Sequence, residues 1–266
     1  MGRILYRYMP WDAFEKSIES WSLKATFPDQ TNDLFEFLPQ EMNDNSYYDE
    51  VVNTMRNDLV FISFSTKVSD CAMWGHYADQ FRGVCMAFYF PNRGPITRVI
   101  YNNKRVNLNP SKIWEERAKD YRKIMRTKDT SWKSEKEWRW LLNARNATTA
   151  KENMLLYEHP MRYFVGVILG PKCTHTCGYV RQIIRNHLKE KDGNFNADLF
   201  FTVLKANPDK KTFNIYPTFW CDNMDPSLLT RYGYDLSNFR KRAKKKMQQS
   251  RDQQSEIYID DGTDVW

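Results

Sequence analysis

A single mixed α+β domain is the fold class this 266-residue chain predicts, and three observations predict it. Short runs of β-branched and aromatic residues alternate with stretches of helical period. Apolar residues make up 41% of the chain and aromatic residues 15%, enough to build a core and to exclude a disordered chain. No internal repeat or long linker divides the sequence, so the domain is expected over 1–239, with 240–266 as a tail.

The elements follow in order. Ile4 to Tyr8 is a β-type run, and Pro10 stands in the first turn of a helix running to about Ser20. A short segment at Leu23 to Phe27, the polar stretch Pro28 to Asp33 and Leu34-Phe35-Glu36-Phe37 lead to a helix over Tyr47 to Arg56. Leu59 to Phe64 is a strand ending in Ser65-Thr66. A helix over Cys71 to Phe81 carries Trp74, Tyr77 and Phe81 at helical spacing. Val84 to Phe90 and Ile96 to Tyr101 are strands, and Pro110 opens a charged helix to about Arg126. Trp138 to Leu142 is a strand whose Trp138, Trp140 and Leu142 alternate with Arg139 and Leu141. Val165 to Leu169 is a buried strand closed by Gly170-Pro171, and Val180, Ile183, Ile184 and Leu188 mark an amphipathic helix. Phe200 to Leu204 and Phe213 to Tyr216 are the last strands.

The longest apolar run, Phe164 to Leu169, is far shorter than the roughly 20 residues a membrane span needs, so no membrane contact is expected. The amino terminus lacks the pattern of a secretory signal, and five cysteines, an odd number, suit a reducing compartment, so the expected location is the cytoplasm. The net charge of +7 is local, because Arg240 to Arg251 holds seven basic residues and no acid, and the rest of the chain carries 33 of each sign. Asp252 to Trp266 is acidic, and the whole tail reads as an exposed helix with a flexible end.

Most common chemistries find no signature. There is no Gly-x-Ser-x-Gly elbow, Walker loop or Gly-x-Gly-x-x-Gly. Cys173-Thr-His175-Thr-Cys177 offers three soft ligands but no paired fourth, so no metal is expected, and a helix entry with buried thiols is the plainer reading.

Three places carry candidate chemistry. Arg7 stands inside an aromatic strand, where a guanidinium either meets an anion such as phosphate or points to water from an edge. Ser63 and Ser65 share one face of the strand Phe61-Ile62-Ser63-Phe64-Ser65, as groups that orient a sugar or amide or as ordinary capping hydroxyls. Glu135 and Glu137, in Trp132-Lys-Ser-Glu135-Lys-Glu137-Trp138-Arg139-Trp140, share a strand face opposite Trp138 and Trp140. They form either an acid–base or cation-stabilising pair or a solvated Lys/Glu face.

Taken with Asn32-Asp33-Leu34-Phe35-Glu36, Met73-Trp74-Gly75-His76-Tyr77-Ala78, Gly83-Val84-Cys85 and Ile168-Leu169-Gly170, these segments resemble the bacterial domain of unknown function 2971. The resemblance spans about residues 4 to 171, and Leu34 stands where that family usually has proline. The order Arg, Ser-x-Ser, Glu-x-Glu is in turn similar to ADP-ribosyltransferases of the Arg-Ser-Glu type. That resemblance implies helices around a split, antiparallel-rich sheet and NAD as co-substrate. It places Arg7 on the pyrophosphate and Ser63 or Ser65 at the nicotinamide ribose. Glu137 would stabilise the oxocarbenium ion, with Glu135 orienting or deprotonating the acceptor and His76 and Tyr77 lining the nicotinamide pocket; Tyr77 also suits a core position.

Two functions follow as expectations. One is ADP-ribose transfer from NAD to a macromolecular acceptor, or NAD hydrolysis, as in a toxin or antiphage effector, with an inhibitory partner protein conceivable. The other is a non-catalytic module binding nucleic acid through Arg240, Lys241, Arg242, Lys244, Lys245 and Lys246, with Phe239, Tyr232 and Tyr234 nearby.

Overall fold

The structure, a computed structural model, describes residues 3–40, 45–92, 94–108, 114–151, 154–192 and 201–218. In chain order it places β1 (Arg3–Met9), α1 (Trp11–Glu19), β2 (Leu23–Lys24), α2 (Asn45–Asp58), β3 (Leu59–Ser65), α3 (Cys71–Tyr77) and β4 (Val84–Phe90). Then come β5 (Thr97–Arg98), β6 (Ile100–Tyr101), α4 (Trp114–Ile124), β7 (Thr127–Lys128), β8 (Glu137–Asn143), β9 (Thr149–Lys151) and β10 (Met154–Tyr157). The series closes with β11 (Phe164–Leu169), α5 (Cys177–Asp192), β12 (Thr202–Pro208) and β13 (Ile215–Thr218). The architecture is mixed α+β with mostly antiparallel strand pairing.

The described residues gather into two compact units, each discontinuous in sequence: residues 3–22, 65–92 and 158–218 form the first, and residues 23–64 and 94–157 the second. Because each unit closes by returning segments, no linker composition marks the division.

The first unit is built around β4. All seven of its residues are buried, which accounts for the uninterrupted apolar run Val-Cys-Met-Ala-Phe-Tyr-Phe. Strand β4 lies between β1 and β11, antiparallel to both, and β12 continues parallel to β11 with β13 antiparallel beyond it. The parallel pair requires a crossover, which α5 supplies. Helix α3 packs Trp74 into the core, its indole N–H donating to the Val68 carbonyl at 2.8 Å and its ring meeting Tyr8 edge-on.

Helix α3 ends at Tyr77, four residues before the spacing predicts, because Asp79, Gln80 and Phe81 all adopt positive φ. Phe81 nonetheless packs against the same core as Trp74 and Tyr77, so the apolar period outlives the helix that it implies. Gly170 is required here, since a Cβ on it would run into the Phe81 carbonyl. Pro10 precedes α1 at its N-cap rather than entering the first turn.

The second unit holds the order β3-β8-β5, a small sheet β2-β10-β9 and the parallel pair β6-β7. Its apolar core joins Val51 and Met55 of α2 to Phe37, Phe61, Tyr121 and Ile124. The single strand predicted over Ile96 to Tyr101 is two, because Val99 N–H donates to the Glu137 carbonyl while Ile100 N–H donates to that of Arg126. Strands β7, β9 and β10 carry too few residues or too mixed a pattern to announce themselves. No helix among the described residues is long and apolar enough to cross a membrane.

Candidate functional site

The second unit buries charge at its centre. Strand β8 opens with Glu137, and its period of two sends Arg139 to the same face. The Arg139 fork grips Glu137 with Nε at 2.8 Å from Oε1 and Nη2 at 2.9 Å from Oε2. Its third nitrogen, Nη1, donates to the Met125 carbonyl at 2.8 Å and lies 2.8 Å from Oε1 of Glu36. The guanidinium plane sits over Phe61 and Phe37, with centroids 4.7 and 5.1 Å away.

Glu135 is not on a strand, which corrects the shared strand face expected of it and Glu137. It ends the 3-10 turn Thr130–Glu135, and Lys136 follows in the left-handed region at φ 49°. That single reversal aims both carboxylates at one cation: Lys128 Nζ donates to Glu135 at 2.8 Å and to Glu137 at 3.4 Å, and lies 3.7 Å from Glu36. A left-handed lysine costs about 1–3 kcal/mol. The solvated Lys/Glu face is likewise excluded, since Glu36, Lys128, Glu135, Glu137 and Arg139 are all buried.

Ser63, half-buried on β3, donates to Glu137 Oε1 at 2.6 Å. The Glu137 backbone N–H donates to the Tyr101 hydroxyl at 2.8 Å, tying β6 to the start of β8. Three carboxylates thus meet two cations, and ions taken this far from water persist only because the hydrogen bonds are nearly complete.

The electrostatics follow. Burial alone would raise the Glu137 carboxyl, but Arg139, Lys128 and the Ser63 hydroxyl hold it at about 2, so it is ionised at any physiological pH. Glu36 moves the other way, because burial outweighs what Arg139 and Lys128 return to it. Burial pushes the Tyr101 phenol up to about 12.

An open cleft of about 200 Å³ adjoins this cluster, walled by Phe35, Phe37, Asn102, Lys104, Arg105 and Lys128 among others. Lys128 belongs to both the cleft and the ion cluster.

Ser63, Glu135 and Glu137 therefore come together in the second unit. Arg7, Ser65, His76 and Tyr77 belong to the first unit. Arg7 is half-buried opposite Met86 in the β1–β4 ladder, and burial lowers its guanidinium to about 10. Ser65 accepts the Lys67 N–H at 3.1 Å, the turn-capping role that was its plainer reading. Tyr77 packs against the core and His76 is exposed. Cys173 and Cys177 are buried, and His175 stacks on Trp11 with ring centroids 3.6 Å apart. The basic residues Arg240, Lys241, Arg242, Lys244, Lys245 and Lys246 lie outside the described residues, as do Tyr232, Tyr234 and Phe239.

The sequence did not single out Glu36, Lys128, Arg139 or Tyr101 for the cluster. Glu36 and Arg139 stand inside segments that the resemblance quotes, which was the available signal; Lys128, in Met-Arg-Thr-Lys-Asp, carried none. No family model, curated protein or solved structure matches this chain.

Proposed function

We propose that the chain consumes NAD in the cytoplasm, transferring ADP-ribose to a macromolecular acceptor or hydrolysing NAD, with Glu137 as the charge that stabilises the departing ribosyl cation. The same reading carries the finer fold expectation, an ADP-ribosyltransferase-like sheet. The observation that carries it is the Ser63 hydroxyl donating to Glu137 at 2.6 Å. Glu137 has both oxygens occupied by Arg139, Ser63 and Lys128, so a substrate reaches it only by exchange. The neutral Ser63 hydroxyl is the bond most readily given up, and a ribose hydroxyl is its chemical equal. A carboxylate held at about 2 suits this role, because it remains an anion against an oxocarbenium ion rather than acting as a proton donor. Glu135, anchored on Lys128, supplies a second carboxylate beside it to orient or deprotonate an acceptor.

The test is incubation of the purified chain with labelled NAD, with and without cell lysate and nucleic acid, following free nicotinamide and label on macromolecules. Glu137→Gln keeps shape and removes charge, and it is expected to abolish release by at least about a hundredfold. Ser63→Ala, expected to retain the fold, removes the hydroxyl that a substrate must displace and should mainly lower KM. Turnover unchanged in a folded Glu137→Gln protein removes Glu137 from the chemistry; no release by the wild type under any condition ends the NAD reading.

A further inference from the structure

The cleft beside the ion cluster has a chemistry of its own. Its basic wall is the pair Lys104 and Arg105, both exposed, on the segment that follows β6. Asn102 Oδ1 accepts the Lys104 N–H at 3.4 Å, which shapes that segment. The Arg105 guanidinium lies over the ring of Phe35, 5.8 Å from its centroid, and that ring is 56% exposed. The side-chain amides of Asn102 and Asn103 complete the rim.

Of the two remaining charges of the cleft, only the cation is neutralised. Lys128 is neutralised by Glu135, Glu137 and Glu36. Asp129 accepts the Ser131 N–H at 2.8 Å, and the Ser131 bonds lower its carboxyl. The cleft therefore offers a ligand the cations of Lys104 and Arg105 together with the Asp129 carboxylate, a net positive charge.

We infer that this cleft binds a nucleoside 5′-monophosphate moiety, with the phosphate on Lys104 and Arg105 and the base stacked on the Phe35–Arg105 platform. A guanidinium fork matches two phosphate oxygens, and an aromatic ring topped by a guanidinium offers a base a flat, cationic partner. The amides of Asn102 and Asn103 provide both a donor and an acceptor for a base edge. A volume near 200 Å³ in an open cleft encloses part of a nucleoside phosphate and leaves the rest in solvent, and it is too small for a complete dinucleotide. The inference stands apart from the catalytic reading, since it uses neither Glu137 nor Ser63.

The experiment is titration calorimetry of the full chain at 150 mM salt with AMP, adenosine and inorganic phosphate as separate probes. AMP is expected to bind saturably and at least about tenfold more tightly than either of its parts. Arg105→Ala should weaken AMP by about tenfold or more, and Phe35→Ala by about fivefold. Both side chains are exposed, so the variants should melt with the wild type, and a Lys104→Ala variant provides an independent check on the phosphate contact. AMP that fails to saturate, or that binds Arg105→Ala and Lys104→Ala as well as wild type, overturns the site. Phosphate binding as tightly as AMP overturns the nucleoside assignment. If AMP binds through Arg105 while NAD is never turned over, the cleft stands and the NAD reading falls; turnover of NAD with AMP indifferent to Arg105 gives the reverse.

Discussion

The two units bury their centres to similar depth with opposite chemistries. In the first, β4 is apolar along its whole length and is covered by Trp74, Tyr8 and the strands beside it. In the second, Arg139 is wholly buried and surrounded by carboxylates. The first arrangement draws its stability from area removed from water and tolerates small changes of shape poorly. The second gains little net energy from its ions, but punishes the loss of any one of them, because the partner left behind is stranded without water. The buried ion cluster belongs to the second unit, and the sharpest steric constraint to the first.

Arg139→Met should break this contrast most severely. It strands Glu137 and Glu36, and about 3–5 kcal/mol should be lost from the second unit, read as faster hydrogen exchange at β8 amides. Equal loss at β4 amides would mean that the two centres do not respond separately. Gly170→Ala forces a methyl group against the Phe81 carbonyl and should remove about 1–3 kcal/mol, seen first at β4 and β11 amides.

Acid should act next, through Glu137 of the second unit. Glu137 is held below its usual range, so its contribution is complete above about 4.5 and is lost as pH falls toward about 2. Glu36, raised, contributes with the opposite sign: its share is present at low pH and is lost as pH rises through its folded value, so it acts above the Glu137 limb and leaves that limb intact. Protection of β8 amides, taken after correction for the intrinsic pH dependence of exchange, should fall across that range in the wild type, and in Glu137→Gln the limb should be absent.

Tyr101→Phe removes the acceptor for the Glu137 N–H and should lower stability by about 1 kcal/mol in a urea titration. The smallest effect belongs to the surface: Asp12→Ala breaks an exposed 3.9 Å pair with Lys16 and should shift stability by less than about 0.5 kcal/mol.

The same contrast explains what the sequence reveals. Strands such as β4 and β11 announce themselves because burial on both faces writes a continuous apolar run. The C-terminal end of α3 and the break between β5 and β6 do not, because both are decided by partners distant in the chain: Gly170 for the first, Glu137 and Arg126 for the second. In the candidate site, Ser63 and the two glutamates are legible as motif residues. Their face is not, since it turns on one left-handed lysine at 136. Lys128 reaches the cluster from a segment with no local signature and Glu36 from one marked only by the resemblance, and a charged residue reads as surface until its partner is known.

The placement of β4 also sets an order of events during synthesis. Its first edge is met at once by β1, already made, but its second edge waits for β11, where Val84 pairs with Leu169. The whole segment 94–157 of the second unit leaves the ribosome in that interval. A nascent chain that pauses there presents an apolar strand with one open edge, a template for pairing with another copy. Slow translation across that segment would therefore make aggregation, rather than misdirected chemistry, the characteristic failure of this protein.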